Sequence, residues 1–450
     1  MRRSRAVAAA TVTTVAVAGV GLAVADPLGL RDRPAPSAAD VLPEGVASFV
    51  EVDLEPELAQ QIQMADFARH VPGLASRLPG MAGGDVKQHL ATAIVRQAGC
   101  RDVDYARQLE PWLGERVALA QLDDQTRVLA VQATDEPAAR RGLPALLSCA
   151  GWSSGQVLYS DGYLVASNTA GGAGEALSMA TRGVLSSNAS YESDTRRLGP
   201  RGVVTAWAWG GLAAEALQRT DASSGAATLR FADGALEAKV VARSRQDLPT
   251  STSHPKVADL PADTSVAVGI SDGAERADWL WESLERLGVR GDLQRAATER
   301  GLDLPQDLDL LLGKDSRYAQ APGGAGESLT VTGDREGLQR LVSGGQLDKD
   351  GIAVHADKDD TILTADTDRA HELSDPDVTL EEDGDFRAAV ARPDHSQLTF
   401  FADRDGIERL LLPRLGAQQR AEFVDVKAVG LNTHVEDDDY QVAVGRVVVG

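Results

Sequence analysis

The chain is short of three things: aromatic side chains, cysteine and positive charge. Phe, Trp and Tyr make up 4% of its 450 residues, so any core must rest on Val, Leu, Ala and Ile. Alanine-rich packing removes less apolar surface from water per residue than Leu or Phe would. Lys and Arg number 45 against 67 Asp and Glu, a formal net charge of −22. Such an excess argues against a nucleic-acid partner, because phosphate binding needs a concentrated basic surface. It argues equally against flat adsorption on anionic lipid. Self-repulsion that keeps the protein soluble is the plain reading; cation binding or buffering is the alternative.

There are two cysteines, Cys100 and Cys149. Neither lies in a CxxC motif, so no zinc or thioredoxin-type reading arises. In an exported chain their pairing is chemically allowed; two free thiols are the alternative.

Catalytic motifs are missing as well. "GWSSG" (151–155) has the string of a nucleophile elbow around Ser153, but that chemistry needs a strand before the serine and a helix after it. Here the helical "LPALLSCA" precedes and the extended "QVLYS" comes after. "GGAGE" begins at Gly171 and again at Gly323, and neither copy continues into the Lys-Ser/Thr of a phosphate loop. A helix start and a surface loop account for them. The acidic runs 348–360 and 436–440 lack the ligand spacing of a calcium loop and read as hairpin turns. Seven histidines are scattered without metal-ligand spacing. No cofactor and no metal site is expected.

What is present begins at the N-terminus. Arg2, Arg3 and Arg5 precede an uncharged run, residues 6–25. About 20 helical residues cross a bilayer core, and the basic flank holds the N-terminus in the cytoplasm. The run ends in Ala23-Val24-Ala25, which also fits a signal-peptide cleavage site. Residues 1–25 are therefore read as an anchor or a signal peptide, and the chain from Asp26 onward as extracytoplasmic. Residues 26–41, rich in Pro, Asp and Ala, read as a tether.

Beyond the tether the chain echoes itself. "VLPEGVASFVEVD" (41–53) matches "DLPADTSVAVGIS" (259–271), with Val50 and Val52 on Val268 and Ile270. Leu113, Gly114, Ala120 and Gln121 fall on Leu312, Gly313, Ala319 and Gln320. A strand and a capped helix come next in both copies, with Thr134 or Asp135 against Asp334. Then come two hairpins and, between them, segments that set Tyr191 on Phe386 and Thr205 on Thr399. Order is not forced by composition, so weak matches in one order point to a duplication. The expected layout is a first repeat at 42–245, a linker at 246–259 and a second repeat at 260–450.

The fold class expected is α+β: two homologous halves, each a mainly antiparallel sheet with helices packed on one face. The first half carries extra helical spacing in "LAQQIQMADFARHV" and "VKQHLATAIVRQAG". The two sheets either join edge to edge or face each other across a cleft. Trp207 and Trp209 share one face of a strand, with Phe400 and Phe401 as rough counterparts. They are read as sheet core or, more sharply, as an aromatic patch facing a cleft.

These features resemble a family of exported, membrane-anchored proteins of high-GC Gram-positive bacteria, defined by a domain of unknown function. The resemblance rests on the basic-then-apolar N-terminus, the Pro-rich tether, "LPEGVASFVEVDLEP", "FARHVPGL", "LEPWLGERVALA" and "VLAVQATD". The family's opening is of LPADT type, followed by a strand and D-x-x-P. Here Leu42 to Val46 read LPEGV with Asp53 and Pro56 behind, and residues 260–264 supply LPADT itself. The resemblance implies a membrane-tethered extracytoplasmic domain and carries over no catalytic residue. The function expected is a non-catalytic binding or scaffold role in the envelope, with an envelope protein or an apolar small molecule as partner. A carrier for an apolar envelope molecule is the first alternative and an enzyme without a recognisable motif the second.

Overall fold

The computed structural model describes residues 36–71, 86–100, 102–152, 156–217, 221–246, 248, 251, 253–286, 290–343, 347, 351–410, 412–414, 416, 420 and 425–450. The N-terminal anchor or signal reading and Ser153 lie outside these residues. No helix among them is long and apolar enough to cross a membrane.

Among the described residues, sixteen strands form one sheet. They are β1 Ser48–Asp53, β2 Leu113–Gln121, β3 Arg127–Ala133, β4 Leu158–Ser160, β5 Tyr163–Ser167, β6 Val204–Trp209, β7 Ala222–Ala232, β8 Ala235–Ser244, β9 Val266–Ser271, β10 Asp315–Gln320, β11 Ser328–Thr332, β12 Ala353–Asp357, β13 Asp360–Thr364, β14 Leu398–Asp403, β15 Val426–Glu436 and β16 Tyr440–Val449. The order across the sheet is β4-β5-β3-β2-β1-β6-β7-β8-β16-β15-β14-β9-β10-β11-β13-β12. Neighbours along it pair antiparallel, including β8 with β16 at the centre, where Arg243 faces Tyr440 and Ala235 faces Val448. The first eight strands and the last eight thus meet edge to edge.

Helices cover both faces, not one as the sequence pattern led us to expect. On the back of the first half lie α1 Leu58–His70, α2 Val86–Gln97, α3 Tyr105–Gln108 and α4 Glu136–Cys149. They bury Met64, Phe67, Leu90 and Leu143 against Val131, Leu164 and Leu229. On its front, α5 Gly172–Ala180 and α6 Ala189–Leu198 set Ala173, Ala176 and Tyr191 against Phe49, Val165 and Trp207. The helix α7 Gly210–Ala216 comes after β6. In the second half, α8 Gly273–Arg286, α9 Arg290–Glu299, α10 Leu308–Leu312 and α11 Arg335–Ser343 come after β9 and β11. Leu338 and Val342 of α11 meet Val331 and Leu363. On the front, α12 Thr367–Ser374 and α13 Gly384–Ala389 cover Ala267, Phe401 and Ala428. The last helix, α14 Arg404–Leu410, sets Ile407 against Ala402 and Val426.

The reason for two covered faces is visible in the strands. All five positions of β5 are buried, so neither phase of its side chains can face water. Each helix is specified locally. In α4, Asp135 caps the start by accepting from the Ala138 N–H, and Ala139, Leu143 and Leu147 recur every four residues on the buried stripe. Fully burying Leu side chains of this kind contributes about 1.5–3 kcal/mol each.

Two boundaries move. Residues 38–40 are a 3-10 turn with Ala38 and Ala39 buried, so the folded unit starts by Ser37 and not at Leu42. Likewise Val257 and Ala258 of the expected linker are buried in a second 3-10 turn. Nor is the helical pair of the first half extra, since α8 and α9 stand between β9 and β10 just as α1 and α2 stand between β1 and β2.

Candidate functional site

The front of the first half carries a hollow of about 270 Å³ between α6, residues 199–201 and strands β1, β6 and β7. Glu51, Thr205 and Thr228 contribute to its lining from the strands, and Tyr191, Thr195 and Leu198 from the helix. Glu192, Arg196 and Arg201 add charge, and Arg196 pairs with Glu192 one helical turn away.

Glu51 is 7% exposed. Its carboxylate accepts from the Ser37 hydroxyl at 3.0 Å and from the Ala38 N–H at 2.7 Å. Arg116, 5% exposed, lies 3.6 Å from Glu51 and 3.7 Å from Asp53. Burial pushes the Asp53 carboxyl up from 3.8 to about 6, against the opposing pull of Arg116. Burial likewise raises the Tyr163 and Tyr191 hydroxyls well above the usual tyrosine range, and the nearby Glu51 charge adds to it. Tyr163 donates to the Pro36 carbonyl at 2.6 Å. The segment 36–40 is therefore stapled to the front of the sheet by a tyrosine hydroxyl and a buried carboxylate.

A second polar region marks the seam between the eight-strand sets. Glu237, 1% exposed, accepts from Arg230 at 2.7 Å and from Arg446 at 2.7 and 2.9 Å. Arg446 also donates to the Ala388 carbonyl at 3.3 Å, and Lys239 to the Arg197 carbonyl at 2.6 Å. Each central strand thus places a cation under the C-terminal carbonyls of one covering helix, where the helix dipole favours positive charge. Asp194, fully buried, accepts from Trp207 Nε1 at 2.9 Å and from the Tyr440 hydroxyl at 2.7 Å. Tyr440 lies under the Arg197 guanidinium at 3.8 Å.

The residues singled out from the sequence fall in different places. Cys100 and Cys149 form a disulfide with Cα atoms 5.5 Å apart, joining the end of α4 to the turn after α2. Trp207 and Phe401, each 2% exposed, lie in separate front cores. Phe400 packs from the back with Ile407 and Val426. Trp209 is 55% exposed at the end of β6. Five strand steps, about 24 Å at the usual spacing, separate β6 from β14. The four rings are not brought together, because alternation sends Phe400 and Phe401 to opposite faces. The hairpin turns of the acidic runs are residues 358–359 and 437–439, with Lys358, Asp437 and Asp438 at positive φ; residues 353–357 are strand β12, and 348–350 lie outside the described residues. Gly171 starts α5 and Gly323 sits in a 3-10 turn. Among the described residues, no group of three or more His, Cys, Asp or Glu is placed to hold a metal ion.

Sequence reasoning passed over Glu51, Asp53 and Arg116, since acids and a base in alternating strands read as a solvent-facing phase. The available signal was Phe49, which shares the phase of Glu51 and is fully buried.

No family model and no curated protein matches this chain. Among solved structures, one described as crystal form III of TP0453 aligns over 47% of this chain and 81% of its own, at 7% identity and a TM-score of 0.25. A score that low carries no argument about fold or function.

Proposed function

We propose that the chain is an extracytoplasmic, membrane-tethered protein with a non-catalytic binding or scaffold role in the cell envelope, of the exported high-GC Gram-positive family that its motifs resemble. We read its body as one α+β module used twice. Subtracting eight from β9–β16 turns the strand order of the second set into that of the first. Leu185 N–H donates to Leu42 O at 2.8 Å, and Leu380 N–H to Leu260 O at 2.8 Å. The edge-to-face pair Tyr191–Trp207 at 5.7 Å has its match in Phe386–Phe401 at 5.1 Å. These agreements support the duplication at the level of single contacts.

The observation that carries the functional reading is the hollow at Glu51. Its lining is as polar as it is apolar, with hydroxyls and charges on both walls, and its buried carboxylate is held by internal partners. That suits recognition of a polar group on an envelope partner better than carriage of an apolar molecule. The Cys100–Cys149 bridge supports an oxidising compartment. The stapled segment 36–40 gives a tether a fixed point of attachment.

Native mass spectrometry of the full-length protein, gently extracted from its envelope, tests this. The expected spectrum is the protein with its N-terminal segment retained and no discrete apolar cargo. A reproducible lipid-like adduct would move the assignment to a carrier, and a mass beginning at Asp26 would replace the anchor with a cleaved signal.

A further inference from the structure

The second half has a polar cluster of its own, and it is closed. Thr399 on β14 pairs directly with Asn432 on β15, as Thr205 pairs with Thr228 under the open hollow. His434 lies two residues further along β15, on the same face. The three are 0%, 1% and 8% exposed. The Thr399 hydroxyl, both polar atoms of the Asn432 carboxamide and Nδ1 of His434 are buried with no hydrogen-bond partner in the protein. Nε2 of His434 is engaged with Glu436 at 3.1 Å.

Four unpaired polar atoms on adjacent ladder positions are unusual, because buried polar groups are nearly always partnered. A buried amide left dry forfeits its hydrogen bonds to water with no return. The set both donates and accepts and holds no net charge; burial lowers the His434 imidazole's affinity for a proton. The three side chains themselves supply no charge to offset a buried cation or anion. What complements the set is small, neutral and able to donate and accept.

The cluster is covered by close packing from two sides. A Cβ at Gly430 would lie 2.2 Å from the Ala389 carbonyl, so the end of α13 presses on β15 beside Asn432. A Cβ at Gly269, which pairs with Thr399, would lie 2.3 Å from Val257 and 2.8 Å from Pro255. The helix end and the 3-10 turn thus pack directly against the strands on either side of Thr399 and Asn432.

We propose that the second half holds an enclosed binding site for a small uncharged hydrogen-bonding guest, ordered water or a compact alcohol or amide, seated among Asn432, Thr399 and His434. Such guests typically make about three hydrogen bonds to otherwise unpaired buried groups.

The sign of a stability change tests it on the full-length protein. Asn432→Leu and Thr399→Val keep the shape and remove polar atoms. With a guest bound, each variant breaks its hydrogen bonds and the Tm falls. In a dry site each removes an unpaired buried group, and a Tm that rises or stays put overturns the proposal. Should Asn432→Leu fail to fold, Thr399→Val, which exchanges one hydroxyl for a methyl, carries the test. High-resolution density separates the guests: an isolated solvent peak within hydrogen-bonding distance of at least two of the three side chains means water, while larger connected density with a matching native-mass surplus means a retained compound. Side chains turned to pair with the protein, with no density between them, overturn it.

Discussion

Glu51 on β1 and Gly269 on β9 occupy matching places in the two strand sets. Each sits beneath a 3-10 turn, residues 38–40 over the first and residues 257–259 over the second, and each pairs with a threonine, Thr205 or Thr399. At Glu51 the turn is held by charge-assisted hydrogen bonds to Ser37 and Ala38, with Arg116 behind. At Gly269 there is no side chain, and Val257 and Pro255 fill the space. Two strand sets of matching order thus fix their 3-10 turns by unrelated means. The charged solution leaves the neighbouring surface open and polar, and the apolar one seals it.

Breaking the charged solution should have the largest effect. Glu51→Ala leaves the Arg116 guanidinium buried beside Asp53 alone and strips the acceptor from Ser37 and Ala38. The expected loss is about 3–5 kcal/mol, the range for removing one partner of a buried pair. Urea unfolding monitored at the buried tryptophans measures it. A loss below about 1 kcal/mol would mean that the carboxylate is dispensable and the hollow merely a gap.

Asp53 sharpens the comparison through pH. Its folded pKa of about 6 lies above the ordinary 3.8. A raised pKa means that the folded state holds the proton more tightly, so this contribution is fully present below pH 3.8 and is lost as pH rises through 6. The difference corresponds to about 3 kcal/mol. Asp53→Asn keeps an acceptor for the Glu55 N–H, which Asp53 binds at 3.0 Å, and cannot ionise. The variant should therefore gain on the parent as pH rises from about 4 to about 7, read as the difference between two stability–pH profiles. Parallel profiles would sink this assignment. Ser271 occupies the matching ladder end on β9, and the carboxyl that burial raises there is that of Asp315 across the ladder.

The sealed solution can be broken sterically. At Gly269→Ala the new methyl meets Val257 and Pro255 at sub-contact distances. Overpacking of this kind costs about 1–3 kcal/mol. Calorimetry should find a lowered Tm, and Val257→Ala in the same chain should restore part of it by making room. If the single variant is neutral, the 3-10 turn lifts freely and the second half is not sealed by packing.

Much of this architecture was legible in the sequence because its signals are local. Period-two strands, the Asp135 cap and the acidic hairpin turns each depend on a few adjacent residues, and their repeated order yielded the strand sequence. The edge-to-edge junction was not legible. It joins residues far apart in the chain, such as Arg243 and Asp439, which are hydrogen-bonded across 196 positions, and no local pattern specifies which edges meet. The buried acids were illegible for another reason. Alternation predicts which residues share a face, but not whether a helix such as α6 will later cover it. Glu51 and Glu237 look like solvent-facing residues until the covering layer is known.

The smallest effect isolates the staple at the start of the fold. Tyr163→Phe removes only the hydroxyl that donates to Pro36 at 2.6 Å. One such hydrogen bond is worth about 1 kcal/mol net, so global stability should barely move. The consequence is local. Ala38 N–H remains bound to Glu51, but the chain before it loses its second attachment, and a local opening made easier by about 1 kcal/mol raises amide exchange about fivefold. The corresponding end of the second-half ladder carries Asp360, ion-paired with Arg317 at 2.8 Å, and is untouched by the change. Exchange should therefore quicken at Ala38 and Asp40 while Val257 and Asp259 keep their rates. Equal acceleration at both turns would show that the tyrosine supports the sheet as a whole, and residues 36–40 would then be held by Glu51 alone.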